Sequence, residues 1–169
     1  MENNKNLFDQ WDNAFDTEGL QKDIQEAAEN GGNRKEIPHD KYEVAVEKME
    51  LTATKVDKTS DNPKKHKARP MVSIWFKIVS EGEHKGSMIF YNQVVEEGFQ
   101  IHIVNELVRS MVKNCVAPTV EFKNYNQYAN MLMDIHEMIA DSFEYALDYS
   151  VNKKGYDVYK IKEVYALED

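Results

Sequence analysis

A mainly β chain with a helical insert, an α+β fold of five strands with one or two helices between the third and the fourth, is what the sequence predicts. Apolar residues recur with period two over the stretches around 42–51 and 72–78, and a Gly-containing connection leads from the second into a further strand-like stretch, 87–95. The period lengthens to that of a helix from Gly98 to Ile139, and period two returns at Phe143.

The elements follow in order. From Lys41, Tyr42, Val44 and Val46 face one way and Glu43 and Glu47 the other, and the alternation loosens through Met49 and Leu51, so the first strand is expected to bulge near Lys48. A polar loop from Lys55 to Arg69 ends at Pro70, where Met71 to Val79 begins the second strand. Val72, Ile74, Phe76 and Ile78 share one face there, which turns Trp75 and Lys77 to the other. The Gly-containing stretch Glu81 to Gly86 has a length suited to a hairpin leading into the third strand, Ser87 to Val95. Phe99, Ile101, Val104, Leu107, Val108 and Met111 then fit a helical stripe that ends at Ala117-Pro118. A second helix is expected from Tyr125 to Ala140, with Asn124 as its cap. Phe143, Tyr145, Leu147, Tyr149 and Val151 alternate strictly, Asn152-Lys153-Lys154-Gly155 turns the chain, and Tyr156 to Tyr165 returns as a fifth strand. Three strands, a helical insert and two strands is the order of an OB-like barrel.

Residues 1–36 read differently. They hold nine acidic and four basic residues, a net charge of -5, against -4 for residues 37–169, and Asn30-Gly31-Gly32-Asn33 supplies a hinge. The expected organisation is an acidic, largely flexible N-terminal arm over 1–36 and a single domain over 37–169. Within the arm, Leu7, Phe8, Trp11 and Phe15 fall at helical spacing. That stripe either packs on its own domain, binds a partner or masks a ligand groove.

Composition excludes several classes. No stretch approaches the roughly 18 apolar residues of a membrane span, and Met1-Glu2-Asn3-Asn4 does not open a secretory signal, so a soluble cytoplasmic protein without membrane contact is expected. Cys115 is the sole cysteine, which forbids an internal disulfide, suits a reducing compartment and reads as a small core thiol. The five histidines show no metal-ligand spacing, no phosphate-cradling Gly loop exists, and no nucleophile and base can be nominated, so neither enzyme nor cofactor is implied.

The overall charge of -9 opposes polyanion binding, but its distribution does not. In an OB-like barrel the ligand face is made by strands two and three, flanked by the loops joining strands one to two and four to five. The first loop carries six bases against Asp57 and Asp61, among them Lys64, Lys65, Lys67 and Arg69, and the second presents Lys153 and Lys154. Bases also need flat side chains on which to stack. Trp75 meets that need on strand two beside Lys77; on strand three Tyr91 or Phe90 must lie outward, and Tyr91 is the one expected at the ligand face. Tyr149 and Tyr156, around the second basic loop, balance between stacking and packing.

Ile37-Pro38-His39-Asp40-Lys41-Tyr42-Glu43-Val44, Pro70 to Ile78, Asn92-Gln93-Val94-Val95, Gly98-Phe99-Gln100-Ile101-His102 and Asn152-Lys153-Lys154-Gly155 together resemble a family of small phage proteins. That family is often encoded beside recombination or replication genes and is regarded as binding single-stranded DNA through an OB-like fold. The resemblance runs over about residues 1–165 and departs at Asp40, where Gly is expected, and at Lys67-Ala68-Arg69, where a shorter loop with Gly-Asp is expected. It implies a non-catalytic protein of phage replication or recombination in the host cytoplasm. The arm, rather than the short acidic end Leu167-Glu168-Asp169, would engage a recombinase or replication protein. Self-association to a homo-oligomer is expected to cover exposed sheet edges. The competing class is a phage protein-interaction module that binds and inhibits a host or defence protein.

Overall fold

The computed structural model describes residues 2–14, 17–21, 24, 37–113 and 115–167. Two compact units divide the chain, Met1–Glu36 and Ile37–Asp169. In the first, helix α1 (Glu2–Ala14) leaves Leu7, Phe8 and Trp11 exposed, with the Phe8 and Trp11 rings 5.5 Å apart. Phe15 and the hinge expected at 30–36 lie outside the described residues.

The second unit is a mixed α+β fold. Strands β1 (Asp40–Ala53), β2 (Pro70–Ile78), β3 (Met88–Val94), β4 (Phe143–Val151) and β5 (Asp157–Ala166) form one antiparallel sheet in the order β3-β2-β1-β4-β5. Helices α2 (Gly98–Met111) and α3 (Tyr125–Ile139) lie between β3 and β4 in the chain. Strand β1 is long enough to pair with β2 through Val44 to Ala53 and with β4 through Asp40 to Val44. The ladder to β2 shifts between Val46 and Lys48, a bulge that increases the local twist and bends the sheet. A second shift, between Ala146 and Leu147, bends the β4–β5 pair.

The barrel expected from the strand order is not closed. Strands β3 and β5 stand at the two edges of the sheet and share no ladder. Side chains occupy the position where that ladder would run: the Tyr159 hydroxyl of β5 donates to the carbonyl of Phe90 on β3 at 3.0 Å, and the Tyr159 ring meets Tyr91 edge-on at 4.9 Å. A tyrosine ring between two backbones holds them farther apart than the roughly 4.7–4.9 Å of paired strands allows.

The inner face of the sheet and the two helices share one core. Val72, Ile74, Phe76 and Ile78 of β2 are buried in it as their alternation predicts, with Val104, Val108 and Met111 of α2 and Tyr128, Leu132, Ile135 and Ile139 of α3. Helix α3 packs on β1, and His136 Nε2–H donates to the carbonyl of Val46 beside the bulge at 3.1 Å. The buried Tyr128 hydroxyl donates to Asn105 Oδ1 at 2.6 Å and ties α3 to α2. Cys115 is half-buried outside this core, in the connection after α2, which corrects its reading as a core thiol: neighbouring Val116 is fully exposed, so the stretch runs along the surface.

Both helices start where local chemistry dictates. The Gln100 side-chain carbonyl accepts from the backbone N–H groups of Glu96 and Glu97 ahead of α2, and Asn124 Oδ1 accepts from Gln127 N–H at 2.8 Å to cap α3. The Asn124→Ala variant is therefore expected to lose about 1 kcal/mol of stability, read from urea midpoints at unchanged m-value.

Candidate nucleic-acid interface

The outer face of β1, β2 and β3 is set by register. Trp75 lies opposite Phe90 on one side and Lys48 on the other; Ser73 lies between Asn92 and Glu50; Lys77 lies between Met88 and Ala45. Paired residues of an antiparallel sheet project to the same face, so Trp75 and Phe90 stand together on the side away from the core. Their rings meet edge-on with centroids 5.3 Å apart, and Lys48 Nζ sits 4.4 Å from the Trp75 ring centroid. The indole N–H of Trp75 donates to Ser73 Oγ at 3.2 Å, and the Ser73 hydroxyl donates to Asn92 Oδ1 at 2.8 Å. These bonds and the cation hold the indole in place, half-buried by its edge.

The register corrects one expectation. Tyr91 pairs with Ile74, faces the core and is 6 % exposed, whereas Phe90 is 39 % exposed. A shift of one residue in the β2–β3 register would exchange the two, and periodicity alone does not determine that register. The buried Tyr91 hydroxyl has no hydrogen-bond partner among the described residues, and burial pushes it well above the ordinary phenol range. Tyr91 is therefore closed to a ligand on the outer face, and Phe90 is the ring that β3 presents there. Lys48 is the other residue that periodicity did not reveal; its position depends on the bulge, which turns it onto the outer face directly opposite Trp75.

The loop between β1 and β2 is a compact knot rather than an open excursion. Asn62 Oδ1 accepts from Lys64 N–H to start a 3-10 turn over Pro63–His66, Asp57 receives both the N–H and the hydroxyl of Thr59, and the Asp57 N–H donates to the Lys65 carbonyl at 2.7 Å. The bonds from Thr59 hold the Asp57 carboxyl below its usual range, with Lys65 adding to the effect. Lys64, Lys65 and Lys67 project from this knot exposed, with no ion pair within 4.0 Å among the described residues. In the turn between β4 and β5, Gly155 takes φ 86°, a conformation only glycine adopts freely, and Asn152 Oδ1 accepts from the N–H groups of Lys154 and Tyr156. Lys153 and Lys154 are thereby exposed at the tip. Tyr149 packs, stacked on Tyr159 at 5.3 Å, while Tyr156 is exposed.

Arg69 and Lys77 are placed on the interface but are not free. Arg69 Nε donates to Glu96 Oε1 at 2.5 Å, and Lys77 Nζ lies 3.7 Å from Glu47; Lys48 likewise lies 2.9 Å from Glu50. The Arg69 hydrogen bond, aided by the charges of Arg69 and Lys64, holds the Glu96 carboxyl below its usual range. Both basic loops reach the end of β3. Arg69 and Lys64 approach Glu96, two residues beyond that strand, and Lys154 shares a cleft with Asn92 and Gln93 of the strand itself.

Comparison with known proteins finds no family model that matches the chain, no matching curated protein and no matching solved structure. Two rings and a cation lie on a sheet face, exposed lysines that include Lys64, Lys65, Lys67, Lys153 and Lys154 stand on two loops beside it, and among the described residues no group of three His, Cys, Asp or Glu could hold a metal ion. This arrangement can stack bases and neutralise phosphates.

Proposed function

We propose that the chain is a non-catalytic single-stranded DNA-binding protein of a phage replication or recombination system, with an OB-like strand order left open between β3 and β5. The observation that carries this reading is the Trp75–Phe90 ring pair on the outer face of β2 and β3, with basic loops meeting at the end of β3. Stacking on such rings tolerates any base, and loop lysines supply backbone contacts without sequence preference. The carboxylates Glu47, Glu50 and Glu96 compete with phosphate for Lys77, Lys48 and Arg69, so the unpaired lysines carry most of the electrostatic attraction.

Fluorescence anisotropy of a labelled poly-dT oligonucleotide, at low and high salt and beside the matching duplex, tests the reading. Binding that selects the single strand and weakens steeply with salt is the expected result. Absence of binding at low salt overturns it. The second reading, a phage module that binds and inhibits a host or defence protein, then takes over; it is favoured by the acidic helix α1 with Leu7, Phe8 and Trp11 exposed on it. In the first reading the same stripe recruits a recombinase or replication protein.

A further inference from the structure

The open seam of the sheet forms a cleft of about 970 Å³, walled by β3 and the β4–β5 turn on one side and by β5 and α2 on the other. Its chemistry is uneven. Lys154, Lys160 and Lys162 line it with no ion pair among the described residues. Its two acidic groups are already engaged: Glu106 receives Arg109 at 2.6 Å, and Asp157 meets His39 Nε2 at 2.7 Å and the Tyr149 hydroxyl at 3.4 Å. The cleft thus offers three lysines that no carboxylate among the described residues holds within 4.0 Å. Among the rings that line it, Phe99 at 72 % and Tyr156 at 68 % exposure stand open to solvent. Amide side chains of Asn92, Gln93 and Asn152, with His102 and Ser110, add to the polar lining.

The cleft is continuous with the stacking face. Asn92 lies on the outer face opposite Ser73, accepts the Ser73 hydroxyl, and also lines the cleft, so the bonds from Trp75 through Ser73 lead to its rim. An extended peptide added to the sheet edge is the other occupant such a seam invites. It would need the edge backbone of β3, and there the Tyr159 hydroxyl already holds the Phe90 carbonyl while the Gln93 amide holds that of Val94. Three cations and two exposed rings, beside a β3 edge whose Phe90 and Val94 carbonyls are already engaged, fit a single-stranded polynucleotide better than a peptide.

We infer that the β3–β5 cleft is a second subsite for the same single strand, which leaves the Trp75–Phe90 face past Asn92 and enters the seam. There Phe99 and Tyr156 stack bases and Lys154, Lys160 and Lys162 contact phosphates. This inference rests on the proposed single-strand binding, and it adds a length dependence. A short oligonucleotide fills the outer face alone; a longer one gains the seam.

An oligo-dT length series separates the two ideas. The variants are Phe99→Ala with Tyr156→Ala, and Lys160→Glu with Lys162→Glu, all at exposed side chains, with thermal melts matched to the parent protein. The parent is expected to gain affinity beyond the short-oligonucleotide plateau, and both double variants are expected to keep the short plateau and lose that gain, roughly tenfold or more. Photocrosslinking from an oligonucleotide carrying 4-thiothymidine at either end is expected to mark the 152–162 segment as well as β2 and β3. Variants that bind long oligonucleotides as the parent does, or crosslinks confined to β2 and β3, overturn the cleft subsite while leaving the Trp75 face standing. Failure of the parent protein to bind at any length overturns the proposed function, and the subsite with it.

Discussion

Replacing Trp75 with alanine is expected to weaken poly-dT binding by about 1–3 kcal/mol, roughly five- to 150-fold, with the protein still folded. The indole is half-buried by its edge against Phe90 and Lys48, on the face of β2 opposite the core, so truncation opens no internal cavity. Phe90→Ala should weaken binding in the same direction, because it removes both a stacking surface and the ring that braces the indole. Tyr91→Ala separates a binding effect from a folding one. Its side chain faces the core alongside Ile74, so its truncation is expected to cost about 3 kcal/mol of stability, visible in urea unfolding. If Tyr91→Ala instead folded normally and bound poorly while Phe90→Ala bound normally, the register that places the interface would be wrong.

That register is also the clearest case of what the sequence could not tell. Alternation along one strand says which residues share a face, and it places Val72, Ile74, Phe76 and Ile78 in the core with Trp75 and Lys77 outside. The strand and helix boundaries are legible for the same reason, since Pro70, Gly98, Asn124 and the Asn152-Lys153-Lys154-Gly155 turn punctuate the chain where periods change. Which residue of β3 faces Trp75 depends on how the Glu81–Gly86 connection sets the hairpin, and an off-by-one there exchanges Phe90 for Tyr91. Closure of the sheet is equally beyond reach of local pattern. It depends on Tyr159 lodging against Phe90 and Tyr91, residues 69 positions apart in the case of the Phe90 bond. The pairing of Arg69 with Glu96 and of Lys77 with Glu47 is hidden likewise, because each joins separate elements.

Neutralising five exposed loop lysines, Lys64, Lys65, Lys67, Lys153 and Lys154, each to glutamine, is expected to change the salt dependence more than any single substitution. Each phosphate neutralised on a single strand contributes about 0.7 to the slope of log affinity against log salt, so removing five such lysines makes the slope shallower by about 3.5. Between about 50 and 200 mM salt those five lysines alone account for a fall of on the order of a hundredfold in the affinity of the parent protein, a fall the variant no longer shows because it does not release the counterions those lysines displace. The engaged cations should behave differently. Arg69→Gln removes a charge that Glu96 already offsets, and Glu96→Gln frees Arg69 and leaves nearby Lys64 without its opposing charge, so the first is expected to weaken binding only slightly and the second to strengthen it. The sign follows from the Glu96 carboxyl, which Arg69 holds ionised to below its usual range and which therefore remains a negative competitor for phosphate at every pH at which the assay is run near neutrality. A slope unchanged by removal of all five lysines would mean that the loops do not face the strand, whatever Trp75 does.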